Sequence, residues 1–124
     1  MGAEDLRKSL DEPRESESVT VRTSGQGAVR VIIEGEIDLG RFEELDNALD
    51  SAQVDPGSRL EIDLGRVSFM DAQGLRLLVR AQARAVERGH ELVIVDPNPF
   101  IQHMIEICRL NTMLHISNDE TGAT

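Results

Sequence analysis

The order of secondary-structure patterns in this 124-residue chain predicts an α/β fold. Stretches with a strand pattern alternate with stretches in which apolar residues recur every three or four positions, and the links between them are short. Repeated units of strand, helix and strand form largely parallel sheets with right-handed crossovers. We therefore expect one α/β domain with a mostly parallel sheet and an N-terminal antiparallel hairpin.

The domain is expected to span residues 19–117. Residues 1–18 are rich in Glu, Asp, Ser and Arg and offer only Leu6 and Leu10 for burial, so ordering them would cost more entropy than burial returns. We interpret residues 1–18 as a disordered acidic tail and residues 118–124 as a disordered C-terminal tail. The region between the tails is long enough to bury a hydrophobic core.

Four elements are predicted in the first half of the domain. Residues 19–21 and 28–33 have strand patterns, and the turn-forming residues 24–27 between them indicate a hairpin. Residues 35–38 leave the second strand. An amphipathic helix and a third strand follow, with apolar positions at Phe42, Leu45, Leu49 and Ala52 in the helix and Leu60, Ile62 and Leu64 in the strand.

The third strand leads into a junction at residues 67–79, which read VSFMDAQGLRLLV. Asp71 is expected to cap a helix that ends near Gly89. The residues predicted to form the buried face of this helix are Leu75, Leu78, Val79, Ala83 and Val86. Residues 91–95 then form a short apolar run, which is typical of a strand buried on both faces.

A third helix is predicted to begin at Asn98 and Pro99, an N-cap residue followed by a first-turn proline. Its predicted apolar face comprises Phe100, Ile101, Met104, Ile105 and Cys108. Because Cys108 lies on that face and has no histidine at the spacing of an activated nucleophile, we interpret it as a buried structural thiol. Residues 113–116 predict a last short strand.

Composition narrows the class of partner. The formal net charge of -10 opposes binding to nucleic acid or to an anionic membrane, because like charges repel. Only 2% of the residues are aromatic, so surfaces for base stacking are not expected. A single cysteine is typical of a reduced cytosol, and the longest aliphatic run, residues 92–95, is far short of a membrane span. We expect a cytoplasmic protein whose partner is another protein.

The junction allows two interpretations. The carboxylate of Asp71 could cap the amide of Gln73 or Gly74, so that the first-turn amides of residues 72–74 form a spot that tolerates an anion. Alternatively, Asp71 only caps a helix and Gly74 only permits close packing of that helix on the strand. Asp38 presents a similar choice, because it either ends a strand or lies at the carboxyl edge of a parallel sheet, where binding residues collect.

Four arginines recur at every fourth position of the junction helix, and we call them the arginine stripe: Arg76, Arg80, Arg84 and Arg88. Guanidinium groups spaced in this way could bind the carboxylates of a partner. They could equally form the solvated outer face of the helix.

The sequence shows no pattern typical of a catalytic, cofactor or metal site. Residues 25–27 are glycine-rich, but they lie between hairpin strands and lack the lysine and the helix of a phosphate-binding loop. His103 and Glu106 share a helix face at a spacing that suits a metal, and we interpret the pair as solvated surface. We predict that the protein is not an enzyme and has neither cofactor nor metal.

Three segments resemble the STAS domain of bacterial anti-sigma factor antagonists: GEIDL at 35–39, LEIDLGRVSFMDAQGL at 60–75 and LVIVDPNPFIQHMIEICRL at 92–110. The resemblance covers residues 19–117 and implies a small sheet with helices largely on one side. We expect the family's final helix to be missing, because only polar residues follow Ile116 in this sequence. It also implies a regulatory protein that binds an anti-sigma factor, usually also a serine kinase, and so frees a sigma factor for RNA polymerase. The kinase in such pairs phosphorylates a serine at the start of the junction helix.

The sequence departs from this family at the phosphorylated position. Asp71, Ala72, Gln73 and Gly74 replace the pattern Asp-Ser-Ser-Gly, so residue 73 has no hydroxyl group. Either the antagonist is constitutively active and regulated by amount or another signal, or the domain serves a different partner, such as an ATPase or transporter subunit or a sensory assembly. A monomer and a weak dimer both remain open. The predicted partner-binding residues are Asp38, Asp71, Ala72, Gln73, Gly74, Arg76 and Arg80.

Overall fold

The computed structural model describes residues 17–23 and 25–118, so most of the disorder predicted for residues 1–18 and 118–124 lies outside the described residues. The prediction is wrong for Ser18, which is the first residue of a strand and pairs with Glu34. The strands are β1 (Ser18–Thr23), β2 (Val29–Ile37), β3 (Arg59–Met70), β4 (Glu91–Val95) and β5 (His115–Ser117), and the α-helices are α1 (Leu39–Asp50), α2 (Ala72–Arg88) and α3 (Pro99–Ile107). Short 3-10 turns occur at Gly25–Gly27 and Leu110–Thr112. The predicted α/β class and the predicted order of elements are confirmed.

The sheet has the spatial order β1-β2-β3-β4-β5. β1 and β2 form the predicted antiparallel hairpin, whereas β2, β3, β4 and β5 are parallel. Each α-helix connects two neighbouring parallel strands, and every connection steps across the sheet in the same direction. Right-handed crossovers of this kind place all three helices on one face of the sheet.

Strands β2 and β3 are longer than the sequence predicted. Their pairing runs from Val29 opposite Leu60 to Ile37 opposite Met70, with register shifts between Ile32 and Glu34 and between Gly35 and Glu36. Gly35 has a φ of 104°, which favours glycine. The prediction that residues 35–38 leave the strand is therefore wrong for residues 35–37, because bulges allow the chain to bend while it stays paired.

The buried face of α2 is rotated relative to the predicted one. Its buried residues are Gly74, Leu75, Leu77, Leu78, Ala81 and Ala85. The prediction that Ala83 and Val86 are buried is wrong, since Ala83 is exposed and Val86 is 71% exposed. The small side chains of Ala81 and Ala85 allow α2 to lie close to the sheet, and this leaves the arginine stripe on the side that faces α1.

The C-terminal part of the domain confirms some local predictions and corrects others. Gly89 adopts the left-handed C-cap conformation, and the side chain of Asn98 accepts a hydrogen bond of 2.8 Å from the amide of Ile101. The predicted burial of Cys108 is wrong: α3 ends at Ile107, and Cys108 lies exposed in the following turn. Phe100, predicted on the buried face, is 52% exposed. In β4, the buried residues are Leu92, Ile94 and Val95, whereas Val93 is half-buried.

Arg80, Arg84 and Arg88 of the arginine stripe bind carboxylates of the same chain. Arg80 donates to both carboxylate oxygens of Asp46, through Nε at 3.1 Å and through Nη2 at 3.0 Å. Arg84 contacts Asp46 and Asp50, and Arg88 donates to the carbonyl of Asp50 at 2.9 Å. The interpretation of a solvated outer face is wrong for Arg84, whose side chain is only 15% exposed. These contacts join the outer faces of α1 and α2.

Asp46 is the centre of this network. Burial by itself raises the pKa of its carboxyl group, but hydrogen bonds and charge from Arg80 and Arg84 outweigh that effect, so the pKa lies below its usual value. A carboxyl group with a lowered pKa stabilises the folded state above its unfolded-state pKa of about 3.9. That stabilisation is lost as the pH falls through the lower pKa of the folded state.

We predict that Asp46→Asn lowers the free energy of unfolding at pH 7 by about 1–3 kcal/mol, because it removes the carboxylate bound by Arg80 and leaves the largely buried Arg84 with Asp50 alone. Urea unfolding at pH 7, 5 and 3.5 would measure the difference from the wild type, which should narrow at the lowest pH. Glu43→Gln, at an exposed position on the same helix, is the matched control and should change stability by less than about 0.5 kcal/mol. A difference that stays constant across this pH range would contradict the role given to the Asp46 carboxylate.

Candidate partner-binding site

The carboxyl ends of β2 and β3 lie side by side. Ile37 is in register with Met70, and the amide of Asp71 donates a hydrogen bond to the carbonyl of Ile37 with an N···O distance of 3.2 Å. Asp38 and Asp71, each the first residue after its strand, therefore occupy neighbouring positions on one edge of the sheet. α1 and α2 both begin at this edge, so the positive ends of two helix dipoles meet there.

Asp71 is the N-cap predicted from the sequence. Its Oδ1 accepts a hydrogen bond of 2.8 Å from the amide of Gln73, and its carbonyl accepts one of 2.9 Å from the amide of Gly74. Two of the first-turn amides thus have acceptors within the chain. An anion could use them only by displacing Asp71, so the structure favours the capping interpretation over an anion site.

Asp38 uses its side chain differently. It precedes α1 in an extended conformation with a φ of -138°, and among the described residues its carboxylate makes no cap hydrogen bond. Only its backbone carbonyl serves the helix, accepting a hydrogen bond of 3.0 Å from the amide of Arg41. The half-buried carboxylate of Asp38 is therefore better placed than that of Asp71 to bind a donor on another molecule.

Gly74 brings α2 against the end of β3. A Cβ atom at residue 74 would lie 2.7 Å from Sδ and 2.8 Å from Cβ of Met70. Both residues are buried, so no larger side chain fits without moving the helix or the strand. The prediction that Gly74 permits close packing of helix on strand is confirmed.

The other predicted residues lie around the first turns of α2. Ala72 is exposed, and Gln73 is half-buried with its Oε1 accepting a hydrogen bond of 3.3 Å from Nη1 of Arg76. The guanidinium of Arg76 lies 4.6 Å from the ring centroid of Phe42, and that of Arg80 lies 5.9 Å from it. Cation–π contact thus holds Arg76 beside Gln73 on the surface.

Arg41 is not among the predicted site residues, yet it holds the strand end that leads to Asp38. It is 6% exposed, and its Nη1 donates to the carbonyls of Glu34 at 2.9 Å and Glu36 at 2.8 Å. Its Nη2 donates to the carbonyl of Ser18 in β1 at 3.2 Å. Arg41 therefore holds the bulged end of β2, which leads to Asp38. An arginine in the first turn of an amphipathic helix gives no sequence signal of such burial.

Apolar side chains at this edge are also absent from the predicted site. Leu39 is 69% exposed and directly follows Asp38. Phe69 is 42% exposed and stacks on Phe100, with ring centroids 5.9 Å apart. The sequence indicated these residues only by their positions near the two strand ends: Leu39 directly follows Asp38, and Phe69 is the penultimate residue of β3.

The structure adds two observations on metals and membranes. In residues 17–23 and 25–118, no group of three His, Cys, Asp or Glu side chains is arranged to hold a metal ion. His103 and Glu106 are both exposed, as the surface interpretation predicts. No helix in the described ranges is long and apolar enough to cross a membrane.

An α/β domain that gathers acidic, amide and apolar side chains where two helices begin has the features of a protein-binding module. Comparison with known families identifies the class more closely. The family described as "Mlab, STAS domain" matches residues 19–115, and the chain belongs to the STAS domain family.

Individual relatives agree with this assignment. The anti-sigma-B factor antagonist of Listeria monocytogenes is 31% identical over 103 residues, which cover 83% of this chain and 90% of that protein. A solved anti-sigma factor antagonist from Mycobacterium paratuberculosis has a TM-score of 0.69 at 22% identity, covering 88% of this chain and 93% of that one. The phosphorylated form of Bacillus SpoIIAA has a TM-score of 0.66 at 16% identity, covering 85% and 96%. These two structures show that the fold is shared.

We predict that Gly74→Ala lowers the free energy of unfolding by up to about 2 kcal/mol. Overpacking typically costs about 1–3 kcal/mol, and the better helix propensity of alanine offsets only about 1 kcal/mol of that. Gly40→Ala, in the first turn of α1, is the matched control, because its added Cβ would meet only Oδ1 of Asp38 at 3.4 Å. Urea unfolding should show the control to be unchanged or more stable. Equal stability of the two variants would contradict the packing argument.

Proposed function

We propose that this protein is an anti-sigma factor antagonist, which binds an anti-sigma factor in the cytoplasm and thereby releases a sigma factor. The observation that carries the proposal is the adjacency of Asp38 and Asp71 at the edge where α1 and α2 begin, in a member of a family with relatives named as such antagonists. The function requires reversible binding only, with neither cofactor nor metal.

The proposed docking edge consists of the residues predicted from the sequence. Asp38 offers a carboxylate, Ala72 and Gln73 form the accessible first turn, and Arg76 offers a guanidinium beside them. Asp71 and Gly74 act by shaping this turn. Arg80 is paired with Asp46, but its side chain remains 47% exposed and can still attract an individual carboxylate of the partner.

We further propose that binding is not switched off by phosphorylation at residue 73. Gln73 has an amide where the family has a phosphorylated serine, and an amide neither accepts phosphate nor carries the roughly two negative charges of phosphoserine. The partner is proposed to be a kinase-type anti-sigma factor. Control would then come from the amount of the antagonist or from another signal.

The direct test uses purified anti-sigma factors from the organism that carries this gene. Each is mixed with the full chain, and binding is measured by calorimetry and sigma factor release by gel filtration. We expect at least one anti-sigma factor to bind and to release its sigma factor. Failure of all of them, together with co-purification of an ATPase or transporter subunit from cells, would favour the alternative STAS module function.

We predict that Gln73→Glu abolishes partner binding and leaves folding intact. A carboxylate in the first turn of α2 is favourable for the helix by about 0.3–1 kcal/mol, so the fold should survive. An unpaired charge buried at an interface costs about 3–5 kcal/mol, which is more than a hundredfold in affinity. Thermal unfolding and calorimetry measure the two effects separately.

Gln73→Ser completes this test, because it restores the hydroxyl that the family phosphorylates. The wild type should take up no phosphate at residue 73 when incubated with the kinase-type partner and ATP, whereas Gln73→Ser should be phosphorylated and released. If Gln73→Glu binds as tightly as the wild type and Asp38→Ala also has no effect, this edge is not the interface.

A further inference from the structure

The exposed phenylalanines at the docking edge form one ordered feature. Phe69 is the penultimate residue of β3, and Phe100 lies in the first turn of α3. Their rings stack with centroids 5.9 Å apart and planes inclined by 20°, yet the two residues are 42% and 52% exposed. The chain has three phenylalanines, and two of these large apolar side chains contact each other at the surface.

The backbone beneath the pair is held by Asn98. Its Nδ2 donates to the carbonyl of Val67 at 3.2 Å, and its Oδ1 accepts from the amide of Ile101 at 2.8 Å. One side chain thus fastens the start of α3 to the end of β3. These polar contacts hold the backbone, and stacking orders the rings. Binding of a partner would therefore cost little entropy for ordering the two phenylalanines.

The pair is continuous with the proposed docking edge. Phe69 lies two residues before Asp71 and is in register with Glu36 on β2. Leu39, which is 69% exposed, follows Asp38 on the neighbouring strand end. Apolar side chains beside carboxylates, on a chain of net charge -10, complement a surface that presents an aliphatic side chain among basic residues.

We propose that Phe69 and Phe100 form the apolar anchor on which the anti-sigma factor seats an aliphatic side chain flanked by basic residues. This inference rests on the proposed function and adds the residues that supply most of the binding energy. Interface energy is concentrated in a few desolvated apolar and aromatic side chains, whereas rim charges mainly set the association rate. The phenylalanine pair accordingly slows dissociation, and Asp38 speeds association.

The experiment measures association and dissociation rates of an anti-sigma factor that binds the wild type, at low and high salt. Phe69→Ala and Phe100→Ala should each weaken binding by about 10- to 100-fold, mostly through faster dissociation. Asp38→Asn should instead lower the association rate and its salt dependence. Val86→Ala is the matched control, because Val86 is 71% exposed but lies about 20 Å along α2 from the first turn of that helix. The affinity of this variant for the anti-sigma factor should stay within about twofold of the wild-type value.

The outcomes separate the two proposals. Loss of binding in both phenylalanine variants, with the control unchanged, supports the anchor. Wild-type affinity in both phenylalanine variants, together with loss in Gln73→Glu, overturns the anchor and leaves the proposed function standing. Failure of the wild type to bind any anti-sigma factor overturns both. If Phe69→Ala lowers the melting temperature, Phe100→Ser at the more exposed ring decides the question by the same rates.

Discussion

The contact of Gly74 with Met70 is the constraint on which the rest of this domain depends. Because Gly74 has no Cβ, α2 can begin within one turn of the end of β3 and lie directly on the sheet. A Cβ at this position would overlap Met70. That placement puts Ala81 and Ala85 over the core and turns the arginine stripe toward α1. The same junction brings Asp71 to the carbonyl of Ile37. Packing of α2 and the shape of the docking edge therefore have one origin.

Buried and half-buried arginines complete the support of α1. Arg41 fixes its start to the bulged end of β2, and Arg84 fixes its middle to α2 through Asp46. Guanidinium groups suit this task because their donors are rigid and always charged. In an acidic chain, these arginines bind its own carbonyls and carboxylates, although Nη1 of Arg84 is buried without a hydrogen-bond partner among the described residues. The edge itself offers the carboxylate of Asp38, which caps no helix in the described chain, the amide of Gln73 and exposed apolar side chains. Together these groups suit reversible binding of a protein.

Features that depend on near neighbours along the chain could be predicted from the amino-acid sequence. The α/β class follows from the alternation of strand and helix patterns, since each pattern reports which face of its own element is apolar. Helix starts at Asp71 and Asn98 and the helix end at Gly89 were predictable because caps join residues only two or three positions apart. The missing hydroxyl at residue 73 is likewise read directly from the sequence.

The way in which these elements combine depends on contacts that form only in the folded domain. Asp38 and Asp71 become neighbours through the parallel register of β2 and β3, which neither segment contains by itself. Arg41 donates a hydrogen bond to a carbonyl 23 residues away, and Arg80 is paired with a carboxylate 34 residues away. The rotation of α2, the exposure of Phe100 and the exposure of Cys108 follow from such distant contacts and from where each helix ends. Apolar spacing along one helix cannot supply this information, because burial is a property of the surfaces that meet.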